Sequence, residues 1–134
     1  MTRRMGTISG IAAGLLTMSF AYISAQAPVP FKRTMLQQAD LSAPGREVVQ
    51  ALAEVQPGAS SGRHTHPGEE ISYILAGPMV VEIDGQPAKT LQTGEVFLIP
   101  AGKIHNVFNR SAGVTKVVAA YVIEKGKPVA TPVP

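Results

Sequence analysis

The stretch "GRHTHPGEE", residues 62–70, decides how the rest of the chain is read. It sets two imidazoles on either side of a threonine, follows them with Pro-Gly and closes on two adjacent carboxylates. On a β-strand successive side chains alternate between faces, so His64 and His66 point the same way. After a turn at Pro67-Gly68 the chain can bring Glu70 back to that face, and the same alternation turns Glu69 away from it. The remaining histidine, His105, starts a new strand after a second tight turn, "IPAGKIH" (99–105). Two such strands side by side in a barrel present three neutral imidazoles and one carboxylate to a single point. That donor set suits a borderline divalent transition metal: Mn, Fe, Co, Ni, Cu or Zn.

Outward from this stretch the chain reads as strands. "EVVQALAEVQP" (47–57), "EISYILAG" (70–77), "MVVEIDG" (79–85), "EVFLIPAG" (95–102), "HNVFNR" (105–110) and "TKVVAAYVIE" (115–124) are apolar or β-branched runs. Gly, Pro, Asn or Asp bounds each of them, and the connections are short. "IDGQP" (83–87) carries an Asp-Gly hairpin turn. This spacing predicts an antiparallel sandwich or barrel, the jelly roll being one solution. The one place with room for a short helix is Leu36–Leu41. The C-terminal "KPVATPVP" (127–134) alternates Pro with small residues and predicts an extended tail rather than core.

With 134 residues, 45% of them hydrophobic, and no cysteine, the chain can bury one core of ordinary size without a disulfide framework. Residues 1–25 read as an export signal: Arg3 and Arg4, then the apolar run Ile8–Ile23, then small residues at Ala25 and Ala27, after either of which cleavage is consistent. The run is too short and too polar for a stable membrane span. "TRRM" (2–5) is partly similar to a twin-arginine signal, whose cargo crosses folded, but Gly6 and Thr7 stand where bulky apolar residues are usual. A periplasmic or secreted protein is expected. Without Arg3 and Arg4 the 12 Lys and Arg become 10, against 9 Asp and Glu. That near-neutral balance, with no basic run and no Trp, gives no nucleic-acid signal. Nor does the sequence hold a cysteine nucleophile, a G-x-S-x-G elbow or a phosphate-binding glycine loop.

A longer pattern encloses the three histidines. Gly58 is followed after five residues by His64, Thr65 and His66, after three more by Glu70 and after six by Gly77. Sixteen residues later a second block begins: Gly94, five residues, Pro100, Ala101, Gly102, two residues, His105, three residues, Asn109. In this the chain resembles the cupin superfamily, in its compact bacterial single-domain form. The resemblance implies an all-β, double-stranded β-helix, the jelly-roll barrel. With the signal and tail read above, the chain divides into a signal (1–25), N-terminal strands and arm (26–57), a barrel core (58–124) and a Pro-rich tail (125–134). The resemblance also implies His64, His66, Glu70 and His105 as metal ligands. Gly58, Gly77, Gly94, Pro100 and Gly102 would shape turns, and Asn109 would serve the structure.

If Glu70 faces inward, Ser72 and Ile74 do so too, and Val107 shares the side of His105. With Tyr121 these are the substrate-pocket candidates, although the same positions also serve to fill a small barrel. Tyr73 and Tyr121 are proton-donor candidates by chemistry, and Lys103, Arg63 and Arg46 are candidates to anchor an anionic substrate; no catalytic residue is assigned. Four protein ligands on an ion preferring six leave about two positions for water, substrate or dioxygen. The expectation is an exported small-molecule metalloenzyme, dioxygenase-like or an isomerase or lyase. The alternative is a non-enzymatic barrel that holds a small ligand. A purely structural ion fits less well, since structural zinc sites are closed and often thiolate-rich. Small cupins of this kind pair, so a homodimer is expected, with Phe31 to Val55 able to add a strand to a neighbour's sheet edge.

Overall fold

Ten strands and no helix account for the regular structure of residues 29–134, which the computed structural model describes. The export signal expected at 1–25 lies outside the described residues. In order the strands are β1 (Phe31–Asp40), β2 (Arg46–Val55), β3 (His64–Thr65), β4 (Glu69–Ala76), β5 (Met79–Ile83), β6 (Lys89–Leu91), β7 (Val96–Ile99), β8 (His105–Phe108), β9 (Thr115–Glu124) and β10 (Thr131–Pro132). They pair antiparallel into two five-stranded sheets, β1-β2-β9-β4-β7 and β10-β3-β8-β5-β6. The fold is the all-β jelly roll that the strand pattern predicts.

Side-chain alternation explains why the two sheets close on each other. Every second residue of β2 from Glu47 to Val55, and of β9 from Thr115 to Ile123, is buried. Their ladder aligns these inward rows, Ala51 opposite Ala119 and Val49 opposite Tyr121. The core falls into two clusters. One gathers Ile74, Met79, Val81, Ile99, Val107 and Val117; the other holds Val49, Ala51, Ala119, Tyr121 and Ile123.

Leu36–Leu41, where the sequence leaves room for a short helix, is instead the second half of β1 and its end. Pairing with β2 continues through it to Asp40, interrupted by a register shift between Met35 and Gln37. Ladder hydrogen bonds outweigh local propensity here, as they commonly do in sheets. The turns follow their chemistry: Gln86 N donates to Ile83 O across Asp84-Gly85, and Lys103 N to Pro100 O across Ala101-Gly102, with Gly85 and Gly102 at positive φ. Gly68 serves a different end. It is buried, and a β-carbon there would collide with the carbonyl of Val122, so glycine lets β9 lie against the chain between His66 and Glu70.

Candidate metal centre

Three chain segments deliver the site. β3 carries His64, and His66 follows it. Glu70 lies on β4 beyond the close-packed Gly68, and His105 opens β8 directly opposite His64 in the ladder. Gly102 N donates to the carbonyl of His66, which ties the turn before β8 to the first histidine pair. All four side chains are buried, and one ring nitrogen from each histidine lies within 4.8 Å of the other two. The ring centroids are 4.3 to 4.9 Å apart.

Each ring is held from behind. Nδ1 of His64 donates to the Gly62 carbonyl at 2.8 Å, that of His66 to the Val129 carbonyl at 2.6 Å, and that of His105 to the Lys103 carbonyl at 3.0 Å. A carbonyl only accepts, so the proton belongs on Nδ1 and the Nε2 lone pairs turn inward. There Glu70 Oε2 stands 2.8 Å from His66 Nε2 and 3.3 Å from His105 Nε2. The approach to His66 lies off the line of a hydrogen bond, which leaves this buried Nε2 without a partner. A carboxylate oxygen facing imidazole lone pairs is repulsive unless a cation, proton or metal ion, joins them. The residues therefore fit a divalent first-row ion: a nitrogen-rich set with one carboxylate, preset tautomers and backbone support behind every ring.

The electrostatics agree with that reading. Burial lowers the pKa of His64 to about 4, helped by the charges of His105, His66 and Arg33 against the opposing Gly62 hydrogen bond, so the ring is neutral at pH 7. Burial alone would raise Glu70, but hydrogen bonds from His105 and His66, which these rings give only with a proton on Nε2 in place of a metal ion, and from the Ser72 hydroxyl more than offset it and hold the carboxyl below its ordinary range. Burial, then the Glu70 charge, push Tyr121 up to about 12, so its hydroxyl keeps its proton.

The other candidates separate. Ser72 is buried and donates from Oγ to Glu70 Oε1 at 2.6 Å; it orients the carboxylate rather than lining the cavity. Ile74 is fully buried in the first core cluster and is not among the residues that line the small cavity beside the histidines. Val107 and Tyr121 do line the small cavity beside the histidines, and the Tyr121 ring lies 4.6 Å from that of His66. Glu69 and Tyr73 face outward on β4. Arg63 is taken by Asp84 at 2.9 Å, and Arg46 and Lys103 are exposed and absent from the cavity wall. Gly58, Gly94 and Gly102 adopt positive φ, a β-carbon at Gly77 would come within 3.1 Å of Thr93 N, and Pro100 is exposed in the turn after β7. Asn109 is buried, donating to the Val55 and Gly113 carbonyls and accepting from Ser111.

Two features have no counterpart in the sequence reading. Arg33, on β1, lines the same cavity. The tail supplies the Val129 carbonyl to His66, and β10 pairs with β3 at the sheet edge. A backbone carbonyl has no residue identity to read, and β1 has no alternation clear enough to show which side chains enter the barrel.

Comparison with known proteins places this arrangement. The chain is 35% identical over 79 residues to the HTH-type transcriptional regulator PuuR of Escherichia coli, a match over 58% of this chain and 42% of the regulator, so it spans less than half the regulator's length. A solved cupin superfamily protein from Desulfitobacterium hafniense superposes with a TM-score of 0.59 at 26% identity, covering 70% of this chain and 78% of that one. The polyketide cyclase RemF from Streptomyces resistomycificus, at 23% identity and a TM-score of 0.61 over 78% of this chain and 72% of its own, shares the fold. The family model for the cupin domain matches residues 51–121, which include all four residues of the centre and most of both sheets, and the chain belongs to that family.

Proposed function

We propose that this protein is an exported, metal-dependent enzyme acting on a small molecule, with His64, His66, Glu70 and His105 as the ligands of a single divalent transition metal. The observation that carries the reading is the convergence of three buried imidazoles, each backed by a carbonyl, two of which face one buried carboxylate. When bound, the ion supplies Lewis acidity and open positions for an oxygen-bearing ligand. The chain's own groups do the remaining work. Ser72 fixes Glu70, Tyr121 offers a hydroxyl that stays protonated, and Met79, Phe97 and Val107 give the cavity an apolar wall that limits water. Dioxygenase-like, isomerase or lyase chemistry fits such a site. A second reading, a barrel that holds a ligand without turnover, is supported by the likeness to part of a transcriptional regulator.

Metal analysis of the purified chain tests the ligand set. About one ion per chain is expected, and none after His64 and His66 are both replaced by Ala; full retention in that variant sinks the assignment. Oxygen uptake by Fe- or Ni-loaded protein on catechols, flavonols and diketones then tests turnover. Silence across metals and substrates moves the assignment to the ligand-holding barrel. Export is tested by fractionating cells that express Arg3 and Arg4 or Lys in their place: unchanged export removes the twin-arginine route.

A further inference from the structure

Arg33 has the surroundings of a ligand-binding group: it reaches the Tyr121 hydroxyl but, among the described residues, pairs with no carboxylate. It sits opposite Ala53 on β1 and lines the cavity shared by His64, Glu70 and His105. Its guanidinium carbon lies 5.4 Å from the centroid of the Phe31 ring and 5.5 Å from that of Tyr121, so two aromatic rings flank the planar fork. Its Nε is out of solvent and has no hydrogen-bond partner. Among the described residues no carboxylate lies within 4 Å of it, and the one acid of the cavity, Glu70, is turned to His66 and His105. A shielded cation left unpaired is costly, and folds keep such groups where a ligand completes them.

We propose that Arg33 seats the carboxylate of a short-chain organic acid beside the metal centre. The inference rests on the metal reading for its location and deepens it by naming the substrate class. A divalent ion and Arg33 against the single charge of Glu70 leave the cavity with excess positive charge, which an anion neutralises. Shape selects the anion. A guanidinium fork matches a planar carboxylate through two parallel hydrogen bonds. The cavity is narrow, about 20 Å³, and opens to solvent, so a flat group enters between its walls more readily than a tetrahedral phosphate. The apolar wall at Met79, Phe97 and Val107 accepts a short alkyl chain.

The test is calorimetric titration of the wild type, Arg33→Met and Arg33→Lys with propionate, its neutral analogue propionamide and inorganic phosphate. Each protein is used metal-free and after cobalt(II) loading, with cobalt content measured and thermal melting recorded without ligand. Propionate is expected to bind the wild type at least tenfold more tightly than propionamide or phosphate. Arg33→Met should weaken propionate at least tenfold in both forms, and Arg33→Lys should recover part of the loss. Melting of Arg33→Met should not fall below that of the wild type, because the variant removes an unpaired charge. Equal propionate affinity in the wild type and Arg33→Met, no propionate binding by the wild type, a preference for phosphate, or a lower melting temperature in Arg33→Met would each overturn the inference. A wild type that takes up no cobalt defeats the metal reading alone, and the Arg33 dependence of the metal-free protein then decides the seat.

Discussion

Glu70 shows how much a single hydroxyl decides. Ser72 Oγ donates to Oε1, and that bond leaves Oε2 aimed at the imidazoles. Ser72→Ala would strip the donor from a buried carboxylate oxygen and free the side chain to rotate. Metal affinity should fall by about 10- to 100-fold, the usual effect of losing a group that orients a ligand, with little change in fold. Competition with a chromophoric chelator measures it, and an unchanged affinity would reduce Ser72 to a filler. His64 makes a second prediction at this scale. Its folded pKa is below its ordinary 6.5, so as pH falls through 6.5 the unfolded chain takes up a proton that the folded chain refuses until about 4. Stability of the metal-free protein should therefore decline from about pH 6.5 to 4. Glu70, whose folded pKa is lowered, adds a further loss below its ordinary 4.5. Melting temperatures that stay flat between pH 7 and 5 would contradict the His64 contribution.

The C-terminal tail is the element whose role exceeds its length. The Val129 side chain packs on the second core cluster while its carbonyl fixes His66, and Thr131–Pro132 pairs with β3. The tail is extended, as its composition predicts, yet it joins the core and the site. Ending the chain after Lys127 should leave His66 Nδ1 without its acceptor and expose the edge of β3. Metal affinity should drop by at least tenfold, within the range seen when the partner behind a histidine ligand is lost, and amide exchange of His64 and Thr65 should accelerate. A truncated chain that binds metal like the full one would show that the ring is oriented by packing alone.

Across the whole molecule, the outer face of the first sheet carries an apolar patch. Ile71 lies opposite Leu98 and Tyr73 opposite Val96, and with Leu75 these side chains are 46 to 67% exposed. Contiguous exposed apolar surface of this kind marks an interaction site. β1 is one edge of the same sheet, opposite β7, and exposes Met35 and Leu36. Light scattering is expected to give a dimer at micromolar concentration. Replacing Tyr73 and Leu98 by Lys should convert it to a monomer if the patch is the contact, whereas a persisting dimer assigns the contact to the β1 edge. A monomeric wild type sinks the expectation of pairing.

Local rules made the barrel and the four residues of the centre legible. Strand alternation needs only neighbouring residues, and it puts His64, His66 and Glu70 on one side within seven positions. Turn chemistry at Pro100 and Gly102 then fixes where the strand bearing His105 begins. Tertiary structure alone decided the surroundings of those residues. It turned Leu36–Leu41 into the end of an edge strand, set Gly68 against the Val122 carbonyl, gave Ser72 to Glu70, and placed Arg33 between Phe31 and Tyr121. The partners of His66 and Val129 are 63 residues apart. Pairings across such separations depend on how two closed sheets bring distant backbone together, and a carbonyl group, identical in every residue, leaves no mark of that in the sequence.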